Sequence, residues 1–222
     1  MLTGFAPLLT ALDLAASVSF AATGALVASR KQLDLIGFMW LAVITGVGGG
    51  TLRDLMLGLP VFWVVDPTPV IACLITAVVV HFTAHFMDRR YRYLLWLDAF
   101  GLALVAVAGC AKATDAGAGA LVAIVMGVVT ASAGGIIRDT LGQEPSIIFR
   151  REIYVAAAAL GAGGYLLALE VGLTRDISAL VGFGLALLLR LLALGFNWSM
   201  PAYRARAGRV IEPPKGDGPE QP

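Results

Sequence analysis

The chain has 222 residues, 59% of them hydrophobic and 14% charged, and its mean hydropathy is +0.84. The formal net charge of +1 gives no case for a nucleic-acid partner, and the hydropathy excludes an ordinary soluble domain. What remains is an integral membrane protein surrounded by membrane lipids, with the bilayer as its solvent.

Apolar runs long enough to cross a bilayer predict an all-α membrane protein of seven transmembrane helices, at about 8–28, 35–52, 67–87, 93–111, 118–137, 153–170 and 177–197. Turn punctuation separates them, as at Arg30-Lys31-Gln32, Gly58-Leu59-Pro60 and Thr174-Arg175-Asp176. The first run has no basic stretch ahead of it, so it is expected to remain as a span; Asp13 lies near its start. The second ends in TGVGGGTLRD, Thr45–Asp54, which sets Gly48, Gly49 and Gly50 just before Arg53 and Asp54. His81 and His85 form an i, i+4 pair on the third, with no acidic residue spaced to complete a metal site. Asp98 lies early in the fourth. Cys73 and Cys110 fall inside apolar runs and read as reduced packing residues. The fifth ends in TASAGGIIRD, Thr130–Asp139, with Ser132, Gly134, Gly135, Arg138 and Asp139. Arg190 falls within the seventh, where it can snorkel toward the cytoplasm or face the bundle, and the former is expected. Residues 1–200 thus read as one transmembrane domain, and 201–222 as a basic tail rich in Pro and Gly that is expected to be disordered.

Seven spans put the termini on opposite sides. The loops after the first, third and fifth spans, with the tail, hold twelve of the Lys and Arg residues; the other side holds only Arg53, Lys112 and Arg175. The positive-inside rule then predicts the N-terminus outside and the C-terminus in the cytoplasm.

The chain also matches itself at an offset of 85 residues. Leu12-Asp13 matches Leu97-Asp98, Gly24 matches Gly109, and Thr45 matches Thr130. Gly49-Gly50 matches Gly134-Gly135, Arg53-Asp54 matches Arg138-Asp139, and Pro60 matches Pro145. Each copy spans three helices, 8–90 and 93–175. Three is odd, so the second copy enters the membrane from the opposite side, and the seventh helix, 177–197, stands apart. Inverted repeats are a recurrent plan for membrane transport proteins, with polar sites near Gly-interrupted helices at the repeat interface.

The matched glycines admit two readings. They let helices pack closely, or they kink a pathway-lining helix along which Thr45, Thr51, Thr130 and Ser132 supply hydroxyls. Asp13, Arg53 and Asp54 are expected at similar depth on the outer side, and Asp98, Arg138 and Asp139 on the cytoplasmic side. Such clusters can clamp helices together or form a charged gate at each mouth. TGVGGG lacks the re-entrant frame of a potassium filter, and no Gly-Lys-Ser/Thr follows it to make a phosphate loop. No nucleophile–base pair or metal-ligand cluster argues for an enzyme, and no cofactor is expected.

GGGTLRD at 48–54 with PVFW at 60–63, and GGIIRD at 134–139 with FRREIY at 149–154, resemble the bacterial branch of the TRIC family, the trimeric intracellular cation channels. The resemblance covers about residues 8–197. It implies a homotrimer with one pathway inside each protomer, conducting monovalent cations, chiefly K+ and also Na+. It further implies a pathway lined by the second and fifth helices, kinked at their glycines, and sensitivity to voltage. Bacterial sequences of this kind are also grouped under a glycine-transporter domain name, which keeps a secondary carrier of a small solute such as glycine as the other reading.

Overall fold

A computed structural model of the chain describes residues 6–86, 90–145, 153–196 and 198–199. The described residues hold eight α-helices: α1 (Ala6–Arg30), α2 (Leu35–Met56), α3 (Phe62–Val65), α4 (Thr68–Thr83), α5 (Arg90–Asp115), α6 (Ala120–Leu141), α7 (Val155–Glu170) and α8 (Arg175–Gly195). A 3-10 turn, Ala84–Phe86, continues α4. Six of these segments are long and apolar enough to cross a membrane. The seventh apolar helix, α7, has 16 residues and is about 24 Å long. The one-turn α3, which the hydropathy pattern does not reveal, lies in the PVFW stretch. Tail residues 201–222 and the FRRE of the second motif, 149–152, lie outside the described residues.

Three helices outrun the ends expected from sequence. α2 continues to Met56 and α6 to Leu141, so both Arg-Asp pairs lie within helices, and α5 runs through Lys112 to Asp115. The physical reason is common to all three. These charges have partners on neighbouring helices, so the chain need not leave the helix to hydrate them. The helices then stop by local chemistry. α2 ends before Gly58, whose φ of +66° lets Leu59 N–H return to Asp54 O at 2.9 Å. The left-handed residues closing α1, α2, α5 and α6 are Gln32, Gly58, Gly117 and Gln143. They fall as two pairs in the self-matching register, Gln32 with Gly117 and Gly58 with Gln143. Asp34 caps the start of α2 by accepting Gly37 N–H at 2.8 Å, and Thr174 caps α8.

α1 and α5 are the inner helices and lie against each other. Both present runs of alanine, such as Ala21, Ala25 and Ala28 on α1 and Ala99, Ala103 and Ala106 on α5, all buried. Small side chains suit a lipid-solvated bundle, where close backbone approach takes over from the hydrophobic effect as the source of packing. Around α1 pack α2 and α4; around α5 pack α6, α7 and α8. α4 turns Ile71, Ile75, Val79, Phe82 and Phe86 outward at near-helical spacing, and α8 does the same with Leu180 and Leu188.

Ion pairs show which helix ends share a level. Arg53 with Asp13 and Lys112 with Asp54 bring the start of α1 to the ends of α2 and α5. Arg175 with Asp115 adds the start of α8. At the opposite end, Arg30 reaches Glu144 at 3.1 Å, joining the end of α1 to the end of α6.

Candidate functional site

The first cluster is built on α1, α2 and α5. The Arg53 guanidinium, fully buried, donates from Nη1 to Asp13 Oδ1 at 2.8 Å and from Nη2 to Asp13 Oδ2 at 3.1 Å, a fork-to-fork pair. Its Nε donates to Asp54 Oδ1 at 2.8 Å. Asp54 is also buried; its Oδ1 forms an ion pair with Lys112 Nζ at 2.9 Å, and its Oδ2 accepts from Phe62 N–H at 2.9 Å. The Phe62 ring lies under both cations, 5.7 Å from Arg53 Cζ and 5.8 Å from Lys112 Nζ. Trp63 Nε1 donates to Thr51 Oγ1 at 2.8 Å, which fastens α3 to α2.

The second cluster is built on α1, α5 and α6. Arg138, fully buried, donates from Nη1 to Asp98 Oδ1 at 2.7 Å and to Thr23 Oγ1 at 2.9 Å. Its Nε and Nη2 both lie 2.9 Å from Asp139 Oδ1, and only Nε is aimed at it. Asp98 is fully buried, and its Oδ2 makes no hydrogen bond among the described residues. Tyr154, at the start of α7, donates to Ala131 O at 3.2 Å. Gly135 sits against this group: a Cβ there would lie 3.3 Å from Tyr154 Oη. Arg190 belongs to the same neighbourhood. It is fully buried, with its Cζ 5.1 Å from the Tyr154 ring centre, so the expected snorkelling toward the cytoplasm is corrected. An aromatic face inside the bundle competes with the water at the helix end for this guanidinium, and α8 turns it inward.

Between the clusters, α2 and α6 cross at their glycines, and both helices run unbroken through them. A Cβ on Gly49 would overlap the carbonyl oxygen of Thr130, and one on Gly134 would lie 2.8 Å from that of Thr45. The same residues seat the neighbouring helices. A Cβ on Gly24 of α1 would lie 2.7 Å from Thr45 Oγ1, and one on Gly109 of α5 would lie 2.6 Å from Thr130 Oγ1. Close approach is therefore the visible work of these glycines. Gly50 differs, since its face meets the Phe62 ring, and Gly48 has only Ile137 Cδ1 near it, at 3.0 Å. The hydroxyls of Thr45, Thr51, Thr130 and Ser132 all bond back to carbonyls four residues earlier, at 2.6 to 2.8 Å.

Four participants carry no signal of their role in the sequence: Lys112, Thr23, Phe62 through its N–H, and Tyr154. Lys112 was legible only as a loop charge, and Thr23 only as one hydroxyl in an apolar helix. His81 stacks edge-on against Phe38, with ring centres 4.7 Å apart. Among the described residues no group of His, Cys, Asp and Glu is placed to hold a metal ion. Among the described residues, cavities open at both ends of the bundle. One, of about 460 Å³, adjoins the first cluster and is lined by Asp13, Phe62, Asp66, Pro69 and Lys112 among others. The other, of about 420 Å³, lies between Lys31, Trp40 and Gln143.

A family model described as glycine transporter matches the chain twice, at residues 10–85 and 95–170, the same offset as the self-matches. The UPF0126 inner membrane protein YadS of Escherichia coli (strain K12) is 37% identical over 86% of this chain and 94% of its own length. A UPF0126 membrane protein of Vibrio cholerae is 37% identical over 88% of this chain and 83% of its own. Among solved structures, the TRIC trimeric intracellular cation channel orthologue from Rhodobacter sphaeroides is 50% identical. It superposes with a TM-score of 0.84, covering 86% of this chain and 99% of that one.

Proposed function

Because the chain belongs to the bacterial branch of the TRIC family, which includes the UPF0126 membrane proteins, we propose that it is a monovalent cation channel of the bacterial inner membrane. It acts as a homotrimer, with one pathway inside each protomer carrying K+ and also Na+. The observation that carries this reading is the 50% identity to the Rhodobacter sphaeroides channel at a TM-score of 0.84.

In this reading seven helices cross the bilayer as two inverted three-helix repeats, 8–90 and 93–175, followed by the helix at 177–197. The N-terminus lies outside and the C-terminus in the cytoplasm. Support for the repeat comes from the doubled family match, the paired left-handed caps, and the paired Arg-Asp-Asp clusters at opposite ends of the bundle. The pathway runs beside α2 and α6, between the Asp13–Arg53–Asp54 mouth and the Asp98–Arg138–Asp139 mouth. The α2–α6 crossing at Gly49 and Gly134 is its narrow middle, and a bend there opens it. Back-bonded Thr45 and Thr130, one turn before those glycines, favour such a bend, because a hydroxyl on the i−4 carbonyl weakens the helix ladder locally. The arginines at the mouths do not repel cations outright, since each is held by two carboxylates.

Purified protein in planar bilayers tests the reading. Discrete unitary K+ currents that Gly134→Ala abolishes are expected, and chemical cross-linking in detergent is expected to stop at three chains. The match to a family model described as glycine transporter favours a second reading, a carrier of a small solute such as glycine. Saturable glycine uptake without unitary currents would replace the channel by that carrier.

A further inference from the structure

The two mouths share an Arg-Asp-Asp plan, but Lys112 at the first has no charged counterpart in the self-matching register at the second. At the first mouth Lys112 reaches across from α5 to Asp54 on α2, Nζ to Oδ1 at 2.9 Å. In the self-matching register the residue corresponding to Lys112 is Val27, a buried apolar side chain that packs where a Cβ on Gly142 would lie 2.6 Å from its Cγ1. The second mouth therefore has no amine at that place.

Lys112 is also the most exposed member of its cluster. Arg53 is wholly enclosed and fixed by three directed hydrogen bonds, whereas the Lys112 side chain is 25% exposed and lines the 460 Å³ cavity. Its ammonium makes a point contact and sits near the face of the Phe62 ring, as a free alkali or organic cation would. Among the described residues, the charges in and behind this cavity are the carboxylates of Asp13, Asp54 and Asp66 against the cations Arg53 and Lys112. Three carboxylates face two cations, and removing the ammonium leaves Asp54 Oδ1 with Arg53 Nε as its remaining partner, behind the cavity wall that Lys112 and Phe62 form.

We infer that Lys112 is a tethered counter-cation: it occupies the Asp54 carboxylate at one mouth, and a cation entering there binds only by displacing it. This rests on the channel reading and adds to it a residue that sets the cation affinity of one mouth and makes the two mouths unequal. Displacement is a swing of a flexible four-carbon stem into the cavity, with no change in the helices.

The test compares wild type, Lys112→Gln and Lys112→Arg, full-length, in planar bilayers over a series of KCl concentrations. In Lys112→Gln the unitary K+ current at low KCl is expected to rise. The KCl giving half-saturation is expected to fall about two- to five-fold, the affinity change that a partly exposed ion pair represents. The gain should be larger for current entering from the Lys112 mouth and vanish at high KCl. Lys112→Arg should restore the wild-type curve. Superimposed curves for wild type and Lys112→Gln would overturn the proposal, as would a reduced current in Lys112→Gln.

Should wild type pass no current at all, the channel reading fails, and a second measurement decides the tethered cation by itself. Unfolding midpoints in detergent are compared in KCl and in N-methyl-D-glucamine chloride at equal ionic strength. A K+-specific rise in Lys112→Gln that wild type lacks supports the proposal. An equal response in both proteins overturns it and leaves Lys112 as a structural latch.

Discussion

Arg53 and Asp13 meet fork to fork, Nη1 at 2.8 Å and Nη2 at 3.1 Å from the two carboxylate oxygens. Their counterparts in the second cluster, Arg138 and Asp98, share a single 2.7 Å bond, and the same Nη1 also donates to a threonine hydroxyl from α1. The Asp13 side chain keeps 14% of its surface exposed, while Asp98 keeps none. Burial therefore decides which pair matters more for stability. Asp98→Asn is expected to cost about 3–5 kcal/mol, the penalty of breaking a buried pair, and Asp13→Asn clearly less. Thermal unfolding in detergent, followed by size-exclusion recovery, ranks the two. Equal losses would contradict the difference in screening.

The glycine contacts give a graded prediction. Gly49→Ala drives a methyl group into the Thr130 carbonyl oxygen, and backbone cannot move aside as a side chain can. Gly134→Ala meets the Thr45 carbonyl at 2.8 Å. Gly48→Ala meets only the flexible tip of Ile137, and it gains helix propensity of up to about 1 kcal/mol. Thermal midpoints should follow the order Gly48→Ala at or above wild type, then Gly134→Ala, then Gly49→Ala lowest. A tolerated Gly49→Ala would show that α2 and α6 do not touch there.

Two helices end on glutamine where their register partners end on glycine. Gln32 has φ of +54° and Gln143 of +50°, and a residue with a Cβ carries a steric cost of about 1 kcal/mol in that region. Gln32→Gly and Gln143→Gly are each expected to raise stability by up to about 1 kcal/mol. The unfolding midpoint of each variant reads the effect, and a lowered midpoint would mean that the glutamine side chain contributes more than its backbone costs.

Asp66 lies outside the spans, fully exposed, and accepts from the Thr68 hydroxyl at 2.6 Å and the Thr68 N–H at 3.0 Å. Those bonds, the hydroxyl first, hold its carboxyl below the usual aspartate range. A carboxyl depressed in the folded state contributes stability that is present above its unfolded pKa, and that contribution fades as pH falls through the folded value. Carbon-13 NMR of the Asp66 carboxyl should therefore titrate below a free aspartate, and Thr68→Val should move the midpoint upward. A midpoint already at the free value would remove the turn at Asp66–Thr68.

Much of the bundle was legible because bilayer solvation leaves a coarse signal, long apolar runs broken by charge and glycine. The grouping of Asp13 with Arg53 and Asp54 was legible as well, since helices of span length set all three at one depth. Less visible were the helix ends. Arg53, Arg138 and Lys112 look like stop signals when each is read alone; only a partner on another helix makes them interior residues. Arg190 fails for the same reason, because nothing local to α8 announces the Tyr154 ring that receives it. Thr23 illustrates a further limit. Its hydroxyl matters only through Arg138, and the register partner Ala108 offers no matching hydroxyl to suggest the role.

The Asp13–Arg53 and Asp98–Arg138 contacts each close over 40 residues of chain. During synthesis, that spacing keeps opposite charges within one pair of successively emerging helices. α1 with α2, and α5 with α6, can each enter the bilayer already neutralised, where a lone Arg or Asp at a helix centre costs about 2.5–3.5 kcal/mol on translocon scales. Lys112 and Asp54 belong to different pairs, so their bond waits for both to be inserted. It is a mark of completed assembly, and a ribosome-bound chain arrested before α5 would lack it.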